Sequence, residues 1–176
     1  GGCDPTTGTA IQVTVGSTVS GIDFALDLQE PDLLEPNNSA TEATSVACED
    51  SFTDVSIVPS GDVDFYGILL SAGEVLSIDI DAEELGSALD SLLGIFDSDG
   101  TTLLASSDDD SAPGESFSVD SYLQFTAGVS GTYFVAVSSF GDSNFTGAGS
   151  SVGEYTISFQ CQAGPVRLAG RPSTNT

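Results

Sequence analysis

The first 166 residues of this 176-residue chain contain no lysine, arginine or histidine, yet the chain carries 27 aspartates and glutamates. Arg167 and Arg171 are its only cationic side chains, and the net charge is −25. A carboxylate that is buried or crowded before residue 167 therefore has no basic partner. It must stay in water, or a metal cation must supply the missing charge, because gathering uncompensated charge away from water is costly. The same imbalance opposes binding to nucleic acid and to anionic membranes. Without histidine, Ser-His-Asp and Cys-His nucleophiles and HExxH zinc sites are excluded. Apolar residues make up 39% of the chain and are spread along it, as in a folded protein rather than a disordered acidic one. No apolar run reaches the roughly 18 residues of a membrane span, so no membrane insertion is expected. The opening Gly1-Gly2-Cys3 reads as an internal starting point within something longer.

The dominant pattern is short alternating segments separated by Gly, Ser, Asp and Pro clusters. Strands are expected at Ser51–Val58, Asp64–Leu70, Glu74–Asp81, Leu92–Asp97, Thr102–Ser106, Ser116–Thr126, Gly131–Ser139 and Glu154–Gln160. Only "AEELGSALDSLL" (Ala82–Leu93) has helical spacing, and Gly86 limits it to one short turn. "GDSNFTGAGSSVG" reads as a flexible hairpin tip. The expected class is all-β, an antiparallel jelly-roll-like β-sandwich with an extended N-terminal β arm. The divisions are an arm at 1–29, a linker at 30–36, a sandwich at 37–162 and an extended tail at 163–176. Cys48 and Cys161 bracket the sandwich and either form a disulfide, as suits an oxidising exterior, or remain two buried thiols. Cys3 is left over.

Several stretches, in order, resemble one family: "EPNNSATEA" (Glu35–Ala43), "GDVDFYGILLSAGEVLSIDI" (Gly61–Ile80), "LLGIFDSDGTTLLASSDDD", "GVSGTYFVAVSS" and "GEYTISF". Together they resemble the bacterial pre-peptidase C-terminal domain, a family that includes clostridial collagenase collagen-binding domains, over about residues 35–160. The resemblance implies a secreted β-sandwich, often calcium-bound, appended to a protease or another exported protein. "CDPTTGTAIQVTVGSTVSGIDFALD" is similar instead to the closing strands of a carboxypeptidase-regulatory-like, Ig-type domain.

Two acidic constellations stand out. Glu35, Asn37, Asn38, Asp62 and Asp64 match the calcium site that the resemblance implies, with the family's further acidic position falling on Leu33. Oxygen ligands from carboxylates, amides and carbonyls suit Ca2+. The competing reading is an Asx-turn loop and a solvated hairpin. Asp97, Asp99, Asp108, Asp109 and Asp110 form a second candidate Ca2+ set if the "DSDG" and "DDD" strand ends adjoin; otherwise they are plain acidic loops. Asn37 and Asn144 begin glycosylation-type sequons. Carboxylate pairs are too common here to argue for glycoside hydrolysis, so no enzymatic activity is expected.

The N-terminal arm places Ile11, Val13 and Val15 on one face, then Ile22, Phe24, Leu26 and Leu28 on one face. A two-strand ribbon does not stand alone in water. It folds back on its own sandwich, belongs to an absent upstream domain, or adds itself to the next copy by donor-strand exchange. The last of these makes the chain a subunit of an extracellular or cell-surface filament, a head-to-tail homopolymer stabilised by calcium. The alternative is a calcium-dependent carbohydrate- or collagen-binding accessory module of a secreted hydrolase, recognising polysaccharide or matrix protein. That module would show an aromatic ligand face. Of Tyr66, Tyr122, Phe140 and Phe145, the tyrosines are assigned to the core and the two phenylalanines to the surface.

Overall fold

The computed structural model describes residue 32 and residues 34–164. The arm residues Ile11, Val13, Val15, Ile22, Phe24, Leu26 and Leu28 lie outside the described residues, as do Cys3 and both arginines.

Nine strands follow one another: β1 (Thr44–Val46), β2 (Ser51–Ile57), β3 (Asp64–Leu70), β4 (Val75–Asp81), β5 (Ser91–Phe96), β6 (Leu103–Ser107), β7 (Tyr122–Thr126), β8 (Gly131–Ser139) and β9 (Gly153–Gln162). They form a five-stranded sheet in the order β1-β3-β8-β5-β6 and a four-stranded sheet in the order β2-β9-β4-β7. Every pairing is antiparallel except β1 with β3. The expected all-β sandwich is observed.

Alternation explains the layering. Successive side chains on a strand point to opposite faces. In β4, Leu76, Ile78 and Ile80 are buried, with Ser77, Asp79 and Asp81 between them. In β9, Tyr155, Ile157 and Phe159 are buried and Thr156, Ser158 and Gln160 face away. These inward residues meet Tyr66, Ile68, Leu70, Leu93, Ile95, Val135 and Val137 of the five-stranded sheet in the main core. The β5 segment "SLLGIF" does not alternate because both its faces are covered. Leu93 and Ile95 enter the main core, whereas Leu92 and Phe96 join a second cluster with Val63, Phe65, Ala136 and Phe145.

One strand is unexpected, one expected strand needs correction, and the expected short turn is present. β1 is a three-residue strand that the spacing of apolar residues does not reveal. The strand expected at Ser116–Thr126 begins only at Tyr122. Its first half is held by side chains instead: Ser118 Oγ accepts from Asp120 N at 3.1 Å, and Ser121 Oγ donates to Ser91 O at 2.8 Å. Such local bonds compete with a ladder. The short turn expected near Ala82 is Glu83–Leu85, ended by Gly86 at φ 74°.

The loop after β8 is not a bare flexible tip. Asp142, buried, accepts from Ser138 Oγ at 2.8 Å, Thr146 N at 3.0 Å and Gly147 N at 2.8 Å. Burial pushes its carboxyl up, but these donors outweigh it and hold the group below the ordinary range. The same loop buries Phe145, which stacks edge-on against Phe96 at 5.4 Å; Phe145 is core, not surface. Its ring occupies the space a Cβ would need on Gly94, which would lie 2.5 Å from it. Gly94→Val should therefore expel Phe145 and lower stability by about 1–3 kcal/mol. Urea unfolding checks this, with Gly73→Ala as a control for turn strain in open space.

Cys48, between β1 and β2, is bridged to Cys161 of β9, closing a sequence separation of 113 residues. The backbone joins the same two segments, since Glu49 N donates to Phe159 O and Phe159 N to Asp50 O.

Candidate functional site

Asp64 opens β3 on the same side as Tyr66, Ile68 and Leu70. The strand's period thus drives a carboxylate into the end of the apolar interior, where it is fully buried. Its Oδ2 accepts from the Tyr155 hydroxyl. Tyr66 and Tyr155 hydroxyls lie 2.7 Å apart. Tyr155 spends its one proton on Asp64, so Tyr66 donates to Tyr155. Asp64 Oδ1 has no partner.

Asn37 lies beside this position on the loop that leads into the domain, with its carbonyl accepting from Phe65 N at 2.8 Å. Its side chain is fully buried, and neither Oδ1 nor Nδ2 has a hydrogen-bond partner. Leaving such groups unpaired costs about 1–3 kcal/mol each. Glu35 and Asp62 complete the cluster: Glu35, Asp62 and Asp64 each offer a carboxylate oxygen within 4.8 Å of the others. Asp62 is pinned by Val58 N and Val63 N, each at 2.9 Å. Glu35 Oε2 accepts from Asn37 N at 3.0 Å and from Asn38 Nδ2 at 2.9 Å. Asn38 itself stays exposed and braces Glu35.

The electrostatics follow from this crowding. Burial, then the charges of Asp62, Asp32 and Glu35, raise Asp64 to about 8 against the pull of Tyr155. Burial, then Glu35, raise Asp62 to about 6 against its two backbone donors. Burial and Asp64 also push both tyrosines well above the usual phenol range. No lysine, arginine or histidine exists among the described residues to relieve these charges.

Asp32 was not among the expected site residues. It is buried, and its oxygens accept from Leu34 N at 2.9 Å and Ser56 N at 2.8 Å. In "PDLLEPNN" the acid stands one place before Leu33, so a search at a fixed offset passes over it.

The second expected set does not come together. Asp97 and Asp99 sit at the tip joining β5 to β6, and Asp108, Asp109 and Asp110 follow β6. The intervening strand has five residues, about 16 Å. Asp99 is a self-contained turn: Thr102 Oγ1 and the N–H groups of Thr102 and Thr101 hold it at about 2. Asp110 faces the Ser107 hydroxyl. Asp108 and Asp109 instead approach Asp90, an acid outside the expected set. Asn144 is exposed, whereas the buried Asn37 amide is closed to glycan in the folded chain. Of the aromatics, Tyr66 is core, Tyr122 is half-buried on the outer sheet face, and Phe140 is exposed.

The family model of the bacterial pre-peptidase C-terminal domain matches residues 62–139, from Asp62 to the end of β8. The match covers 78 of the chain's 176 residues, counted from 62 to 139. A probable subtilase-type serine protease of Deinococcus radiodurans is 31% identical over 137 residues, covering 76% of this chain and 18% of its own length. The chain therefore spans less than a fifth of that relative. Among solved structures, the pre-peptidase C-terminal domain of collagenase from Bacillus anthracis aligns with TM-score 0.48 and 14% identity, over 67% of this chain and 94% of that one. Aeromonas hydrophila PliG, a periplasmic inhibitor of g-type lysozyme, aligns with TM-score 0.42 and 16% identity, over 68% and 97%.

Proposed function

We propose that this pre-peptidase C-terminal domain is a non-catalytic, calcium-stabilised accessory module of a longer secreted protease, holding that protein to polysaccharide or matrix protein outside the cell. The family and the subtilase-type relative support the attachment to a protease. The Cys48–Cys161 bridge supports an oxidising exterior. One observation carries the calcium: Asn37 and Asp64 are fully buried with unpartnered oxygens beside two more carboxylates. Hard oxygen donors at that density fit Ca2+, which takes 6–8 of them. Asn37 Oδ1, Asp64 Oδ1, Asp62 and Glu35 would hold the ion, and Asp32 would add charge behind them. The ion neutralises the cluster and ties the entry loop to β3.

The filament reading rests on the N-terminal arm, outside the described residues. The matched family and the protease relative favour the accessory module over it.

Thermal unfolding tests the metal. An ion at 100 times its Kd adds about 2.7 kcal/mol, which for a domain of this size raises Tm by about 5–10 °C. Melting in 1 mM CaCl2 should exceed melting in excess EGTA by that amount, and Asp64→Asn should abolish the difference. An unchanged midpoint removes calcium from the account.

A further inference from the structure

The outer face of the four-stranded sheet is polar in a regular way. The register aligns two rungs across β9, β4 and β7. One is Gln160–Ser77–Gln124 and the other is Ser158–Asp79–Tyr122. The segment between β6 and β7 raises a wall beside them through Pro113 and Glu115, and the result is a trough of about 310 Å3. That volume lies in the range of ligand sites. Strand spacing and rise make the six side chains a patch about 10 Å by 7 Å, the footprint of one or two sugar rings.

The donor set selects the ligand. Glutamine amides and serine hydroxyls both donate and accept, so their complement is a surface of groups that do the same. Gln124 Nε2 already reaches Ser77 Oγ at 3.3 Å, and both are free to turn toward a ligand. Tyr122 and Pro113 supply apolar flanks for the C–H face of a ring. Anions are turned away, because carboxylate oxygens of Asp79, Asp81 and Glu115 lie within 4.8 Å of one another. Cations gain less from this crowd than its count suggests. Burial, Glu115 and Asp81 raise Asp79 to about 7, so near neutral pH about half of the molecules carry a proton there that can be donated.

We propose that this trough binds an uncharged oligosaccharide, with Gln160, Gln124 and Asp79 hydrogen-bonding its hydroxyls and Tyr122 packing on a ring. The inference rests on the accessory-module reading and gives it a ligand class; it uses none of the calcium-site residues, so each can fail alone.

Native affinity electrophoresis of the full chain suits a protein this acidic. Gels would contain hydroxyethyl cellulose, galactomannan or glycol chitin, with alginate as the acidic comparison and hexa-arginine peptide titrated separately. Retardation is expected in at least one neutral polysaccharide and not in alginate. Gln160→Ala with Gln124→Ala should weaken it about tenfold or more; both side chains are exposed, so Tm should hold. No retardation by any neutral polysaccharide, retardation that survives the double variant, or binding of hexa-arginine alone overturns the proposal. Loss of glycan binding with an intact EGTA-sensitive melt would leave the calcium-stabilised module standing and remove only its ligand class.

Discussion

Replacing Cys48 and Cys161 together with serine is expected to cost about 5 kcal/mol of unfolding free energy. The bridge spans 113 residues, and in the chain-entropy model closing a loop of that length removes about 5 kcal/mol of freedom from the unfolded chain. The native state offers little to offset the loss. The two cysteines join the segment entering β2 to the penultimate residue of β9; β9 is still held there by its ladder with β4, whereas the segment before β2 keeps only a few backbone bonds to β9. With a urea m-value of about 2 kcal/mol/M, the midpoint should fall by roughly 2–3 M while the slope stays within the range of a domain this size. The double variant is preferable to reduction because it leaves Cys3 unchanged. A midpoint unmoved by the double substitution would show that the loop closure contributes nothing and that the sandwich is held by its core alone.

The bridge was legible because the two cysteines fall at the outer ends of the first and last long strands, Cys48 just before β2 and Cys161 at the end of β9. The strands themselves were legible wherever one face is buried and one is wet, as in "VLSIDID" and "EYTISFQ". Less was legible where that rule is suspended. "SLLGIF" is expected as a strand and is one, but nothing in it shows that a second cluster covers its other face, and nothing local marks Phe145 as the residue that covers Gly94. The backbone of β1 pairs in parallel with β3, a long-range choice with no pattern in three residues. For the site, the order Glu35, Asn37, Asp62, Asp64 was in the sequence, and the strand parity of Asp64 with Tyr66 already implied an inward carboxylate. The rest needed three dimensions. The separation of "DSDG" from "DDD" is set by the length of β6, the approach of Asp90 by sheet order, and the polar trough by three strands that are far apart in the chain.

The apo protein should become more stable as it is acidified, against the habit of acid-labile proteins. Asp64 has a pKa near 3.8 when exposed and about 8 in the fold. Between those values the folded chain holds a proton that the unfolded chain has released, so unfolding free energy falls as pH rises from about 4 to about 8. Asp62, raised to about 6, and Asp79, raised to about 7, act in the same direction. Asp64 alone corresponds to roughly 5–6 kcal/mol across that window as an upper bound. Calcium reverses the dependence, because the ion binds the carboxylate and competes with the proton. In excess EGTA, urea midpoints should climb from pH 8 to pH 5; in millimolar calcium they should be flat or fall. Asp64→Asn separates this residue from its neighbours, since the amide imitates the protonated acid without titrating. The variant should be more stable than the parent at pH 8 in EGTA, indistinguishable from it near pH 4, and indifferent to calcium throughout. If the parent in EGTA instead loses stability on acidification from pH 8 to 5, Asp64 is ionised in the apo fold and the buried, unneutralised cluster is not the feature that demands a cation.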